Sequence, residues 1–120
     1  MIKLEIPEEI KREIEQKSGF KTIISSISNK NIQWLTHLMK ALADEKRLTI
    51  LHALYHQRMC VCMLAELTNC SYSKCSYHIA KLKEMGLVQS QNIGNYLVYS
   101  LTSHGRKIVR YFEKLKEVKK

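Results

Sequence analysis

From residue 59 onward the apolar positions fall into two short helical runs broken by a polar turn. Apolar or small residues stand at Leu64, Ala65 and Leu67, then at Cys70, and again at Cys75, Ile79 and Leu82. The last three are spaced i, i+4, i+7 on one helical face, and the whole predicts a helix-turn-helix. Between the runs lies Thr68-Asn69-Cys70-Ser71. Asparagine tolerates the left-handed end of a helix, and a serine hydroxyl caps the next N-terminus. Away from the apolar face of the second helix point Ser71, Tyr72, Ser73, Lys74, Ser76, Tyr77, His78 and Lys81. These hydrogen-bonding, cationic and stacking groups are what a helix needs to read a DNA groove. Gly86 closes the helix.

Beyond Gly86 the period changes from helical to alternating. Residues 87–91 and 96–101 predict a two-stranded hairpin around the turn Asn92-Ile93-Gly94-Asn95, and a hairpin behind a helix-turn-helix is a wing. Asn92 and Asn95 are its candidate DNA contacts. A last helix, capped by Thr102 or Ser103, carries Ile108, Phe112 and Leu115 at i, i+4, i+7, with Val109, Tyr111 and Val118 broadening the stripe. That breadth predicts a dimer face, to which Leu35 and Leu38 of an upstream helix are also assigned.

Upstream, Pro7, Glu8 and Glu9 open a helix with Ile6, Ile10 and Ile14 on one side, closed near Gly19. Phe20, Ile23, Ile24 and Ile27 form a second apolar face before a polar break at Ser28-Asn29-Lys30-Asn31. A third helix carries Trp34, Leu35, Leu38, Met39 and Leu42. Asp44 caps a fourth, with Leu48, Leu51, Leu54 and Tyr55 inward. The predicted organisation is a helical extension (1–30), a winged helix-turn-helix domain (31–102) and a C-terminal helix (103–120), mainly α with a two-stranded wing.

The formal net charge of +9 favours an anionic partner. It is unevenly placed: residues 103–120 hold seven Lys or Arg against two Asp or Glu, and residues 87–102 hold none of either. No stretch approaches the roughly 18 apolar residues of a membrane span, and the N-terminal residues lack the apolar core of a secretion signal, so a cytoplasmic chain with no membrane partner is expected. In that compartment the four cysteines are read as thiols: ligands, redox centres or small core residues. Cys60 and Cys62 begin the first helix of the helix-turn-helix, where two thiols two residues apart suit a soft ion such as As(III), Cd(II) or Pb(II). A third donor would come from His56, from Cys70 or from a second subunit. On a regular helix residues two apart face nearly opposite ways, so one ion holds both only if the first turn opens. Cys70 and Cys75 occupy core-like positions. A thiol enzyme is disfavoured, because no Gly-rich oxyanion turn accompanies Cys60 or Cys62.

Over roughly residues 32–112 the chain resembles the ArsR/SmtB winged-helix repressors. The resemblance rests on Ala41-Leu42-Ala43-Asp44-Glu45-Lys46-Arg47-Leu48-Thr49-Ile50-Leu51, on Cys60-Val61-Cys62-Met63-Leu64-Ala65-Glu66-Leu67, on Ser71 through Gly86 with Ser76 and His78, and on Val98-Tyr99-Ser100-Leu101. It implies a homodimer that represses from an inverted-repeat, double-stranded DNA operator and lets go when a metal or metalloid binds the Cys-x-Cys thiolates. It leaves open a winged-helix regulator that answers thiol oxidation or sulfur species, or one with no active metal site. The family's aspartate after Cys-x-Cys is Met63 here, a further cysteine of some members is Ala65, and the zinc-type positions of the last helix hold Ser103 and Gly105.

Overall fold

The computed structural model describes residues 5–116. They divide into two compact units that meet between Thr36 and His37. In the first, α1 (Glu8–Gln16) begins behind Pro7 with Glu8 and Glu9 in its first turn, and α2 (Phe20–Ser26) follows Gly19, whose φ of 92° is open to glycine at little cost. Phe20, Ile24 and Ile27 are exposed. The expected break at residues 28–31 is a helix start instead. The Ser28 hydroxyl accepts the Asn31 N–H at 3.2 Å, and α3 (Asn29–Leu42) runs through the boundary expected at residue 30.

In the second unit, Asp44 caps α4 (Glu45–His56) by accepting the Arg47 N–H at 3.1 Å. Burial pushes the Asp44 carboxyl upward, but that hydrogen bond and the charges of His78 and Arg47 together draw it below the usual range. This cap is therefore worth its full amount above the unfolded carboxylate pKa and is lost as the pH falls through the lowered one. Asp44→Ala should cost about 1 kcal/mol in denaturant melts at neutral pH and less in acid.

Leu51 and Leu54 are buried as expected, and so is Ile50, fully, whereas Leu48 and Tyr55 are only half-buried. With Leu42, Leu64, Cys75, Ile79, Leu82, Leu87 and Val109 they form the core, each large aliphatic contributing roughly 1.5–3 kcal/mol on burial. Leu67, expected inward, is exposed. Leu38, assigned above to a dimer face, is only 4% exposed and belongs to this core.

A two-residue strand, β1 (Met59–Cys60), precedes α5 (Val61–Thr68). Asn69 ends α5 at φ 54°, ψ 45°, and Ser71 caps α6 (Tyr72–Glu84) by accepting the Lys74 N–H at 3.2 Å. The sheet order is β1-β3-β2, antiparallel throughout, with β2 (Val88–Ile93) and β3 (Tyr96–Leu101) forming the wing. The hairpin turn is tighter than expected. Asn92 and Ile93 pair with Leu97 and Tyr96, leaving only Gly94-Asn95 in the loop, and Gly94 at φ 60° gives the positive first central residue that a two-residue hairpin of type II′ requires. Thr102 caps α7 (Ser103–Leu115), accepting the Gly105 N–H at 3.1 Å. The inward residues of α7 are Gly105 and Val109; Ile108 and Phe112 are half-buried, Leu115 is 59% exposed, and Val118 lies outside the described residues.

Candidate functional site

The left-handed Asn69 turns the chain sharply, so α6 starts with its polar side free. Tyr72, Ser73, Lys74, Ser76 and Tyr77 are all exposed, the two tyrosines by more than half. Thr68 anchors the turn from behind: its hydroxyl donates to the Leu64 carbonyl at 2.7 Å, and its own carbonyl accepts from the Lys46 ammonium. The residues expected to read DNA thus stand together on one helix.

Two of them are less free than expected. His78 is half-buried, and its Nδ1 accepts the Arg47 Nε–H at 3.1 Å. The same guanidinium donates to the Ala41 carbonyl at 2.9 Å and lies 5.7 Å from the centre of the Tyr77 ring. Arg47 therefore joins the end of α3 and the start of α4 to α6, and leaves His78 only Nε2 for a ligand. Lys81 is half-buried, 3.8 Å from Glu84 and 5.5 Å from the Tyr77 ring centre. Around this cluster a cleft of about 250 Å³ also gathers His37 and Lys40. The pattern of apolar positions gave no sign of Lys40 or Arg47 as part of this surface, because their place depends on how α4 packs against α6. Lys83 donates to Ser90 Oγ at 2.9 Å, tying α6 to the wing. Asn92 and Asn95 are exposed, Asn92 within β2 rather than in the loop.

Cys60 is the N-cap of α5, with extended φ −84° and ψ 168°, not its first helical residue. Its partner in the sheet is Val98. That small shift removes the geometric difficulty of a thiol pair two apart, since the first turn need not open. The two sulfurs lie 2.8 Å apart. The hydrogen bond from Cys62, with the Met63 N–H at the helix start, draws the Cys60 thiol below its usual range, and the same contact pushes Cys62 up. Cys75 is the opposite case. It is fully buried, and burial together with nearby Cys70 raises its thiol despite a hydrogen bond with Thr68. Iodoacetamide should accordingly label Cys60 first and keep doing so at lower pH than for an ordinary cysteine, while Cys75 stays unlabelled in the folded protein; peptide mapping that found Cys75 modified first would contradict this order.

The arrangement of capped α4, thiol-headed α5, polar-faced α6 and wing has known counterparts. Residues 44–90 match the family model described as bacterial regulatory protein, arsR family. The chain is 36% identical over 76 residues to the cadmium resistance transcriptional regulatory protein CadC of Listeria innocua, covering 62% of this chain and 64% of that one. It is 40% identical over 63 residues to the arsenical resistance operon repressor of Bacillus subtilis, covering 52% and 60%. Among solved structures it superposes on the homodimeric winged helix-turn-helix DNA-binding domain of Mb0332 from Mycobacterium bovis with a TM-score of 0.64 at 25% identity, covering 77% of this chain and 86% of that one. Residues 44–90 form an ArsR-family helix-turn-helix domain.

The match spans a little under two thirds of the length of these curated ArsR-family relatives. As an ArsR-family fold the chain is a winged helix-turn-helix in which the wing is also bonded, through β1, to the thiol corner. Neither of the third donors expected within the chain joins that corner: among the described residues no three His, Cys, Asp or Glu side chains converge. His56 sits at the end of α4, edge-on to Tyr55, and Cys70 lies near Cys75 of α6. The pair offers two soft donors of the kind that suit thiophilic ions, and any third must come from outside this chain's described residues. No helix among those residues is long and apolar enough to cross a membrane.

Proposed function

We propose that this ArsR-family chain is a cytoplasmic, homodimeric repressor that binds an inverted-repeat DNA operator through α6 and the wing, and that a thiophilic ion at Cys60 and Cys62 releases it. One observation carries the coupling. Cys60 pairs with Val98 in the central strand of the wing and at the same time caps the first helix of the helix-turn-helix. An ion drawing the two sulfurs into one geometry acts on both DNA-contacting elements at once. Release follows if that geometry is compatible with the free protein and not with the bound one, because a ligand shifts an equilibrium only by its differential affinity for the two states. The cadmium and arsenical names of the relatives support a soft ion, and thiolate donors favour As(III), Cd(II) or Pb(II) over harder ions.

The test is release of a labelled operator titrated in parallel with As(III), Cd(II), Zn(II) and peroxide, for the wild type, Cys60→Ser and Cys62→Ser. Both variants should bind DNA as the wild type does, since serine nearly keeps the shape, and should fail to let go with As(III) or Cd(II). If both release at the wild-type concentration of every ion, the pair is structural. A second reading, release by oxidation of the pair, is favoured by the 2.8 Å between the sulfurs. Peroxide-driven release that both serine variants abolish would select it.

On the DNA side, Tyr77→Ala and Ser73→Ala should weaken operator binding selectively. Lys74→Ala should weaken binding to every sequence and lower the salt slope by about one per lost phosphate contact. Equal slopes for Lys74→Ala and wild type would remove Lys74 from the phosphate contacts.

A further inference from the structure

The cleft of about 250 Å³ beside α6 draws cations from three helices: Lys40 of α3, Arg47 of α4 and Lys81 of α6, together with His37 and Tyr77. Glu84 is the single carboxylate among the lining residues, and it already faces the Lys81 ammonium at 3.8 Å. Asp44 also feels the Arg47 charge, but it is committed to the N-cap of α4 and stands outside this wall. Cations gathered in this way repel one another in the free chain, and an anion relieves them.

The Arg47 fork is set before any ligand arrives. A guanidinium carries five N–H groups in one plane. Here the Nε–H goes to His78 Nδ1 at 3.1 Å and an Nη1–H to the Ala41 carbonyl at 2.9 Å, while Nη2 makes no hydrogen bond among the described residues. A planar donor held in this manner suits the oxygens of a phosphodiester or a carboxylate. The position of the cleft decides between them. Tyr77, Lys81 and Glu84 are spaced i, i+4, i+7 on α6 and continue the stripe that starts at exposed Ser73. An α-helix about 10–12 Å across nearly fills a major groove about 12 Å wide, so groups flanking it face the sugar–phosphate walls.

We propose that this cleft holds one phosphodiester of the operator backbone, bound by Arg47 and Lys40 from outside the helix-turn-helix, with Lys81 and His37 at its edge. This rests on α6 as the DNA-reading helix and adds a contact that α6 does not itself provide. Arg47 also acts as a positioning residue. The guanidinium that meets the backbone fixes the His78 ring, so the remaining Nε2 is presented in register with that phosphate.

The experiment uses the full chain and a duplex that it selects from random sequence, remade with single methylphosphonates that each remove one backbone charge. Neutralising one phosphate per half-site should weaken wild-type binding about tenfold. Lys40→Ala changes an exposed residue, so the fold should survive; it should bind the unmodified duplex about tenfold more weakly, lower the salt slope by about one, and be indifferent to the methylphosphonate at that same position. Arg47→Lys, checked for a normal melt, keeps the charge and loses the fork, so affinity and discrimination against base changes should both fall. Inorganic phosphate exchanged for chloride at constant ionic strength should leave the wild-type affinity unchanged. A loss of affinity there that Lys40→Ala abolishes would make the cleft a site for free phosphate and overturn the proposal. So would wild-type affinity and salt slope for Lys40→Ala, or wild-type sensitivity of Lys40→Ala to every methylphosphonate. An Arg47→Lys protein equal to wild type in affinity and discrimination would remove the fork from the site. If Ser73→Ala and Lys74→Ala still weaken binding in any of these cases, α6 remains the reading helix and only the cleft is lost; if no duplex is selected at all, both readings fall.

Discussion

Replacing Gly105 with alanine is expected to destabilise the domain by about 3 kcal/mol, a large effect for one added methyl. Gly105 sits in the first turn of α7, buried, with its Cα facing the backbone of Leu87 at the junction of α6 and β2. An added Cβ would fall within the carbonyl oxygen of Leu87, with the carbonyl carbon at 3.0 Å and Leu87 Cα at 3.3 Å. Backbone cannot rotate away as a side chain would. The same carbonyl accepts the Thr102 N–H at 3.0 Å, so moving it also loosens the cap of α7. Against this, alanine in place of glycine in a helix gains only about 1 kcal/mol, so the clash wins. The melting temperature should drop on the order of 10 °C, whereas Lys107→Ala, two residues on and exposed, should leave it within a degree or two. A Gly105→Ala protein that melts with the wild type would mean that α7 stands further from Leu87. The close approach also explains why this family member has no ligating side chain at position 105: there is no room for one.

What could be read from the chain and what could not divides along the range of the interactions. Asp44, Ser71, Thr102 and Asn69 act on N–H groups or carbonyls a few residues away, and their residue types alone announced helix starts and a left-handed stop. Ser28 obeys the same rule but stands in a polar run that looks like a loop, so on sequence alone its cap resembles a break. The strand at Met59–Cys60 was hidden for a different reason. Two residues carry no period, and the strand exists only because Tyr99 and Val98, far along the sequence, offer an open edge. Without it Cys60 looks like the first residue of a helix, and the two thiols look as though they point apart.

Long-range packing likewise decided the reading surface. Tyr72, Ser73, Lys74, Ser76 and Tyr77 followed from the helical period because exposure on α6 is set by its own apolar face. His78 lies on the border of that face, where period alone does not say that Arg47 will occupy its Nδ1. Likewise Leu38 and Leu115 look equivalent as exposable leucines, yet the first is covered by its own domain and the second is not. Only the folded chain tells a core leucine from one still free for a partner.

Replacing Leu115 with glutamate is expected to give monomers and to lower operator affinity on the order of 100-fold, with the fold intact. Leu115 and half-buried Phe112 border, with Met39, Leu42 and Leu48, an apolar cleft of about 520 Å³ on the α7 side of the unit. A monomer rarely leaves so continuous an apolar surface uncovered, and a second copy is the occupant that the proposed inverted-repeat operator calls for. Leu115 is the cleaner site than Phe112. Its exposure means that a charge there costs the isolated chain little, while the Phe112 ring stacks on His52 at 6.3 Å, and His52 in turn approaches Glu113 at 3.8 Å. A dimer reading two half-sites gains effective concentration for the second contact, an advantage of roughly 100- to 10,000-fold that a monomer forfeits. Sedimentation at micromolar protein should give the monomer mass for Leu115→Glu, and its binding to a single half-site should match that of the wild type. A variant that remains dimeric and keeps full operator affinity would move the interface off α7, and residues 1–30 would become the next place to look.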